Sequence, residues 1–263
     1  MTALTHSAHD FQALVAAWER TSAELGLRLG IVHEADGRPV LVVENELSAA
    51  GRQGGLYLSA GVHGDECAPV WALLQWAASA PPALRQRPVL LLPCLNPFGF
   101  EQNLRLDACG VDLNRSFADE SHPLVGAWRS LLAGRRFDLA ASLHEDYDAR
   151  GVYLYELSRG EPQGAGFLTA CEDILPRETA EFIDGMPFVD GLARRDGEIS
   201  DLVSERLGGG WPESIVLFLD FAETALTFET PSEADLGLRI AAHRAFLDAL
   251  AESRLFTCPP PPA

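Results

Sequence analysis

Short apolar runs, each broken off by polar residues, constrain this chain more than any other feature. "PVLLLPCLNP" (88–97) and "FDLAASLHED" (137–146) lack the alternation of a strand with one wet face, and they are short for a helix. They predict strands buried on both faces of a sheet. Gly55–Val62, "GVYLYEL" (151–157), "SIVLFLDF" (214–221) and "TALTFET" (224–230) read the same way. "LRLGIVHEADGRPVLVVENE" predicts two further strands joined by an Asp36-Gly37 turn. Residues 8–25, 68–79, 123–133 and 163–175 predict helices, and 184–213, with "GGGWP", reads largely as loop. After Pro231 a terminal helix is expected, with Ser232 as its N-cap and acids in its first turn. Strands alternating with helices, without a repeat or a linker, predict an α/β fold: a single-domain α/β/α sandwich with a mixed, mostly buried sheet. The domain is expected over 1–257, with 258–263 ("CPPPPA") as a proline-rich tail.

Composition narrows the function classes. The chain has 263 residues, is 47% hydrophobic and carries a formal charge of −18. All 20 basic residues are Arg, which argues against Schiff-base chemistry and a P-loop lysine. An acidic surface repels phosphate backbones, so no nucleic-acid partner is expected. No apolar run is long enough to span a bilayer, and the first twenty residues read as an amphipathic helix and not as a signal peptide. Cys67, Cys94, Cys109, Cys171 and Cys258 are odd in number and form no C-x-x-C pair. This usage fits a reducing compartment, so a cytoplasmic location is expected.

Three polar clusters stand at the carboxyl ends of strand candidates: "AGVHGDE" with His63 and Glu66, "SLHEDYD" with His144, and "ALTFETP" with Glu229. In open α/β sheets the ligand crevice lies outside those ends. His63 and Glu66, three residues apart, are spaced to share one metal ion, and Gly61 and Gly64 let the backbone bend between them. Two histidines, one carboxylate and an open fourth position make a hydrolytic zinc site, and a separate carboxylate can serve as base. The H-E-x-x-H pattern, the G-x-S-x-G elbow and a phosphate-binding glycine loop are absent from the sequence.

A fourth cluster, "NPFGFEQNLRLDACGVDLNRSF", completes an order of residues. H-x-x-E, N-P-x-G-x, an Arg, G-V-D-L-N-R, a strand-end His and a late Glu resemble the zinc carboxypeptidase family, close to its succinylglutamate desuccinylase and aspartoacylase branch. The resemblance runs over roughly residues 55–231. It implies the phosphorylase/hydrolase-like fold of that family and one zinc ion per chain. It also implies roles: His63, Glu66 and His144 as zinc ligands, Asn114 and Arg115 as the pair holding a substrate carboxylate, Arg105 as the oxyanion stabiliser, and Glu229 as general base. Asp107 departs from the pattern, standing where related short members often have Asn. A pocket tyrosine has three candidates, Tyr147, Tyr153 and Tyr155.

Each role has a plainer competitor. His63 with Glu66 could be a hydrogen-bonded loop pair, His144 a satisfied strand-end histidine, and Arg115 a salt-bridge partner of Asp112. Glu223 rivals Glu229 as base. Glu145 and Asp146 suit a ligand-orienting or solvated role, and the remaining histidines, His122 and His243 among them, are read as surface or packing residues. The expected function is metallocarboxypeptidase-like hydrolysis of an amide bond next to a free carboxylate in a small peptide. Removal of the acyl group from an N-acyl amino acid is the close alternative, and a non-catalytic metal- or ligand-binding protein is the third.

Overall fold

The computed structural model describes residues 7–193, 199, 203–204 and 207–253. The sequence order alternates strands with helices as the apolar runs predict. The strands are β1 (Arg28–Ala35), β2 (Arg38–Glu44), β3 (Leu56–Ala60), β4 (Val89–Leu92), β5 (Phe137–Asp146), β6 (Tyr153–Ser158), β7 (Phe182–Ile183), β8 (Met186–Val189), β9 (Leu192–Ala193) and β10 (Ala222–Pro231). They form one ten-stranded sheet in the order β1-β2-β4-β3-β5-β10-β6-β9-β8-β7. Its centre, β4-β3-β5-β10, is parallel, and antiparallel strands flank it on either side.

Helices cover both faces. They include α1 (Phe11–Leu25), α2 (Cys67–Ala78), α3 (Pro97–Gln102), α4 (Pro123–Leu132), α5 (Gly164–Thr169), α6 (Glu213–Asp220) and α7 (Leu236–Glu252). One buried cluster joins Leu56, Leu58, Leu139 and Leu226 of the sheet to α1, α2 and α7. A second joins Tyr57, Leu90, Ala140 and Ala225 to α4 and α6. The parallel centre is thus buried on both sides, which is why its strands read as continuous apolar runs.

The chain turns one way from β3 to reach β4 and the other way to reach β5. Strand order therefore reverses at β3, and a crevice opens outside the carboxyl ends of β3 and β5. The β5–β10 register sets His144 beside Glu229, and the β10–β6 register sets Glu229 beside Tyr153. Three strands therefore present functional side chains abreast.

Several expectations are corrected. "SIVLFLDF" is not a strand: Glu213–Asp220 is helix α6. A short apolar run has no length signal to separate a strand from a buried helix, and its start just after Pro212 favours the helix. Residues 184–213, read largely as loop, also hold the short strands β8 and β9, since Asp184-Gly185 and Asp190-Gly191 turn β7, β8 and β9 into a small meander with positive φ at all four positions. The helix expected over 163–175 is the shorter Gly164–Thr169. Ser232 does not cap the last helix; the Asp235 side chain accepts from Gly237 N–H and Leu238 N–H and does so. The proline-rich tail at 258–263 lies outside the described residues.

Candidate metal and substrate site

Two backbone features bring the donors together. Gly61 carries φ +63°, so the chain turns sharply at the end of β3. Gly64 has no room for a side chain: a Cβ there would lie 1.9 Å from the Gly99 carbonyl carbon. The H-G-D-E loop therefore packs directly on the N-P-F-G-F segment, and Glu66 directly precedes α2 without capping it.

His63, Glu66 and His144 are all buried, and their ligand atoms lie within 4.8 Å of one another. His63 Nδ1 is 2.5 Å from Glu66 Oε1, and His144 Nδ1 is 2.9 Å from Glu66 Oε2. Both rings thus turn the same nitrogen toward one carboxylate. Glu66 Oε2 is buried and has no hydrogen-bonding geometry despite that short approach. A buried, orphaned acceptor facing a nitrogen is the arrangement a shared cation relieves, and two imidazoles with one carboxylate suit zinc. The residues present therefore fit the metal that the resemblance implies. Burial opposes charge on Glu66, yet the two histidines hold its carboxyl far below the ordinary range. Burial likewise opposes charge on His63, but Glu66 and Asp112 raise its pKa to about 9.

The same cavity is lined by Glu229, Arg105, Asn114, Arg115 and Tyr153. Glu229 retains some accessible surface, yet burial pushes its carboxyl up to about 8 against the pull of His144. Glu223 is exposed and does not line the cavity. Tyr153 donates to Asp146 Oδ2 at 2.9 Å and packs edge-on against Tyr155 and Phe188, forming a wall. Tyr147, 59% exposed, stands at the mouth.

The arginines are held by side chains. Asp112 does not pair with Arg115. Its Oδ1 lies 3.3 Å from His63 Nε2, and its Oδ2 accepts from Arg105 Nε at 3.1 Å. Sequence reasoning gave Asp112 no role in the site, although it opens the D-L-N-R motif; here it orients both a ligand-type histidine and the nearby arginine. Arg115 lies against Gly210, where a Cβ would come within 2.5 Å of its Cδ, so the glycine of "GGGWP" makes room for it. Asn114 Oδ1 accepts from Glu213 N–H at 3.0 Å.

Glu213 was also missed. Fully buried, its carboxylate accepts from Ser59 at 2.7 Å, from Ser142 at 2.8 Å and from Tyr57, whose hydroxyl accepts in turn from Trp128. Its position directly after a proline carries no sequence signal for such a network. Glu145, also buried, borders the same cavity, and its carboxylate accepts from Ala68 N–H and pairs with Arg239.

A model of the succinylglutamate desuccinylase/aspartoacylase catalytic domain matches residues 52–149. Murein peptide amidase A of Escherichia coli (strain K12) is 48% identical over 69 residues, 26% of this chain and 27% of that protein. The match thus spans about a quarter of that relative's length. A structure from Shewanella denitrificans OS217, provisionally called a metallopeptidase, superposes with a TM-score of 0.80 at 24% identity, covering 95% of this chain and 92% of that one. A metallo-carboxypeptidase from Burkholderia cenocepacia gives 0.65 at 17% identity, over 91% and 67% of the two chains. Murein-tripeptide amidase MpaA from Escherichia coli O157 gives 0.56 at 20% identity, over 86% and 92%. These structural likenesses speak for the fold. Over residues 52–149 the chain is similar to the succinylglutamate desuccinylase/aspartoacylase catalytic domain, and its fold is that of metallopeptidase and metallo-carboxypeptidase structures.

Proposed function

We propose that this protein is a zinc-dependent hydrolase of an amide bond next to a free carboxylate, acting on small peptides. One observation carries the reading: a metal-type donor set, a carboxyl of raised pKa and two arginines share one cavity. In this proposal His63, Glu66 and His144 hold one zinc ion per chain, which supplies Lewis acidity when bound. Glu229, once ionised, takes a proton from the attacking water and passes it to the departing nitrogen. Arg105 stabilises the negative charge that develops on the carbonyl oxygen. Arg115, with Asn114 beside it, grips the substrate carboxylate, a task for which its planar fork suits it better than a lysine.

The runner-up reading, hydrolysis of N-acyl amino acids, uses the same chemistry and draws support from the family model. Charge favours the peptide. With Arg105 committed to the oxyanion, Arg115 is left to face the carboxylate, while Glu229, Asp146 and Asp184 line the same cavity. A substrate with several carboxylates would meet more repulsion than attraction there. Among the described residues no helix is long and apolar enough to cross a membrane. The cytoplasmic expectation remains part of the proposal, supported by the buried, unpaired Cys67, Cys94 and Cys171.

The test is product analysis with the zinc-loaded protein on short peptides, their amidated forms and N-acyl amino acids. Release of the C-terminal amino acid from peptides is expected. Amidation should lower kcat/KM by roughly tenfold or more in wild type and much less in Arg115→Ala, because a charge-assisted hydrogen bond contributes about 1.5–3 kcal/mol. Preferential cleavage of N-acyl amino acids would favour the runner-up, and no cleavage of any panel would favour a binding protein.

A further inference from the structure

The segment that carries Arg105 is exposed along most of its length. Leu104 and Leu106 are 50% and 41% accessible, and Ala108, Cys109 and Gly110 are exposed as well. Exposed loops of this kind do not hold a side chain still unless something ties them down. Asp107 does so. Its Oδ1 accepts from Cys109 N–H at 2.9 Å and from Val111 N–H at 2.8 Å. Its own N–H donates to the Val111 carbonyl, and Gly110 N–H donates to the Asp107 carbonyl, both at 3.0 Å. One carboxylate thus closes the turn whose two ends carry Arg105 and Asp112.

The other oxygen of Asp107 anchors that turn to the core. Asp107 Oδ2 lies 2.9 Å from His122 Nε2, with both side chains only 12% exposed. His122 directly precedes α4, a helix buried through Leu124, Val125, Trp128 and Leu132. His122 Nδ1 is itself buried and has no hydrogen-bond partner. A proton there would be an unsatisfied buried donor, so the ring keeps its proton on Nε2 and donates to Asp107. An asparagine amide at 107 would present a donor to that N–H, or force the proton onto Nδ1. The histidine thus accounts for an acid, and not an amide, at position 107.

We propose that Asp107 and His122 form a clasp that positions Arg105, and Asp112 with it, against the metal-type site. The inference rests on the hydrolase reading for the part Arg105 plays in turnover. Neither residue of the pair lines the cavity, so both act through the loop.

Amide hydrogen exchange and steady-state kinetics on the full-length, zinc-loaded protein test the clasp together. Exchange at Cys109 and Val111 should speed up in Asp107→Ala, stay slow in Asp107→Asn, which keeps the Oδ1 acceptor, and change modestly in His122→Ala. On a carboxylate-terminated peptide, Asp107→Ala should lower kcat roughly ten- to hundredfold, the scale of a small misplacement of a reacting group. KM should stay within about twofold, because Arg115 stands on a separately anchored segment. His122→Ala should show the same split more weakly, and His122→Gln, which restores an N–H donor, should recover part of the loss. In an Arg105→Ala background, adding Asp107→Ala or His122→Ala should cost less than about threefold, since residues acting through one another are not additive. Unchanged exchange in Asp107→Ala, or losses that multiply in full with Arg105→Ala, would overturn the clasp. A wild type that cleaves nothing would count against the hydrolase reading, while the exchange comparison would still decide whether the clasp exists.

Discussion

On one bank of the cavity His144 and Glu229 stand abreast on paired strands, with His63 and Glu66 just beyond the end of β3. On the other bank Arg105 stands on a loop and Arg115 ends a single 3-10 turn, Leu113–Arg115. The first bank takes its positions from sheet register: a parallel ladder fixes which residues are neighbours, and burial on both faces fixes the ladder. The second bank takes its positions from individual side chains, namely Asp107, Asp112 and the space left at Gly210. Glu213 joins the two, since its carboxylate binds Ser59 and Ser142 of the sheet while its backbone holds Asn114. Backbone-held groups should therefore fail in single, separable steps, and groups that share one side-chain anchor, such as Arg105 and His63 on Asp112, should fail together.

The largest expected effect lies on the strand-held bank. Glu229→Gln should keep zinc and fold while kcat falls about 10²–10⁴-fold, the usual contribution of a general base. Glu223→Gln, on the same strand but exposed, should leave kcat near wild type. If the two variants behave alike, register does not select the base.

Next comes the residue joining the banks. Glu213→Ala would strand buried hydroxyls of Tyr57, Ser59 and Ser142, each costing about 1–3 kcal/mol when unsatisfied. Denaturant unfolding should show a loss of roughly 3 kcal/mol or more. A loss below about 1 kcal/mol would mean that the network does not join the two banks.

The smallest effect belongs to the loop-held bank. Asp112→Ala should weaken zinc binding by about 10–100-fold, the typical contribution of a group that orients a ligand histidine. It should also lower kcat, because Arg105 loses its partner. Competition with a chelator measures the first effect and peptide kinetics the second. A fall in kcat with unchanged zinc affinity would show that Asp112 serves the arginine alone.

The same contrast explains what could be read in the sequence. The strand ends carrying His63, His144 and Glu229 are legible because an apolar run that stops at polar residues marks both a buried strand and its edge. Helix α6 was not legible: an eight-residue apolar segment fits either state until its packing is known. The β7–β9 meander escaped because strands of two to four residues give no alternation, although both Asp-Gly turns were present. Glu213 and its partners are separated by 156, 154 and 71 residues, so nothing local announces the network. Asp107 stood out as a departure, but its meaning depended on His122, fifteen residues away on another element.

The central claim is that His63, Glu66 and His144 form one zinc site. Diffraction from crystals of the zinc-loaded protein, recorded on both sides of the zinc absorption edge, tests it directly. The account predicts a single anomalous peak per chain, about 2.0–2.2 Å from Nδ1 of both histidines and from the Glu66 carboxylate. That peak should vanish in His63→Ala and His144→Ala crystals. A peak elsewhere, or one that persists undiminished in both variants, would contradict it.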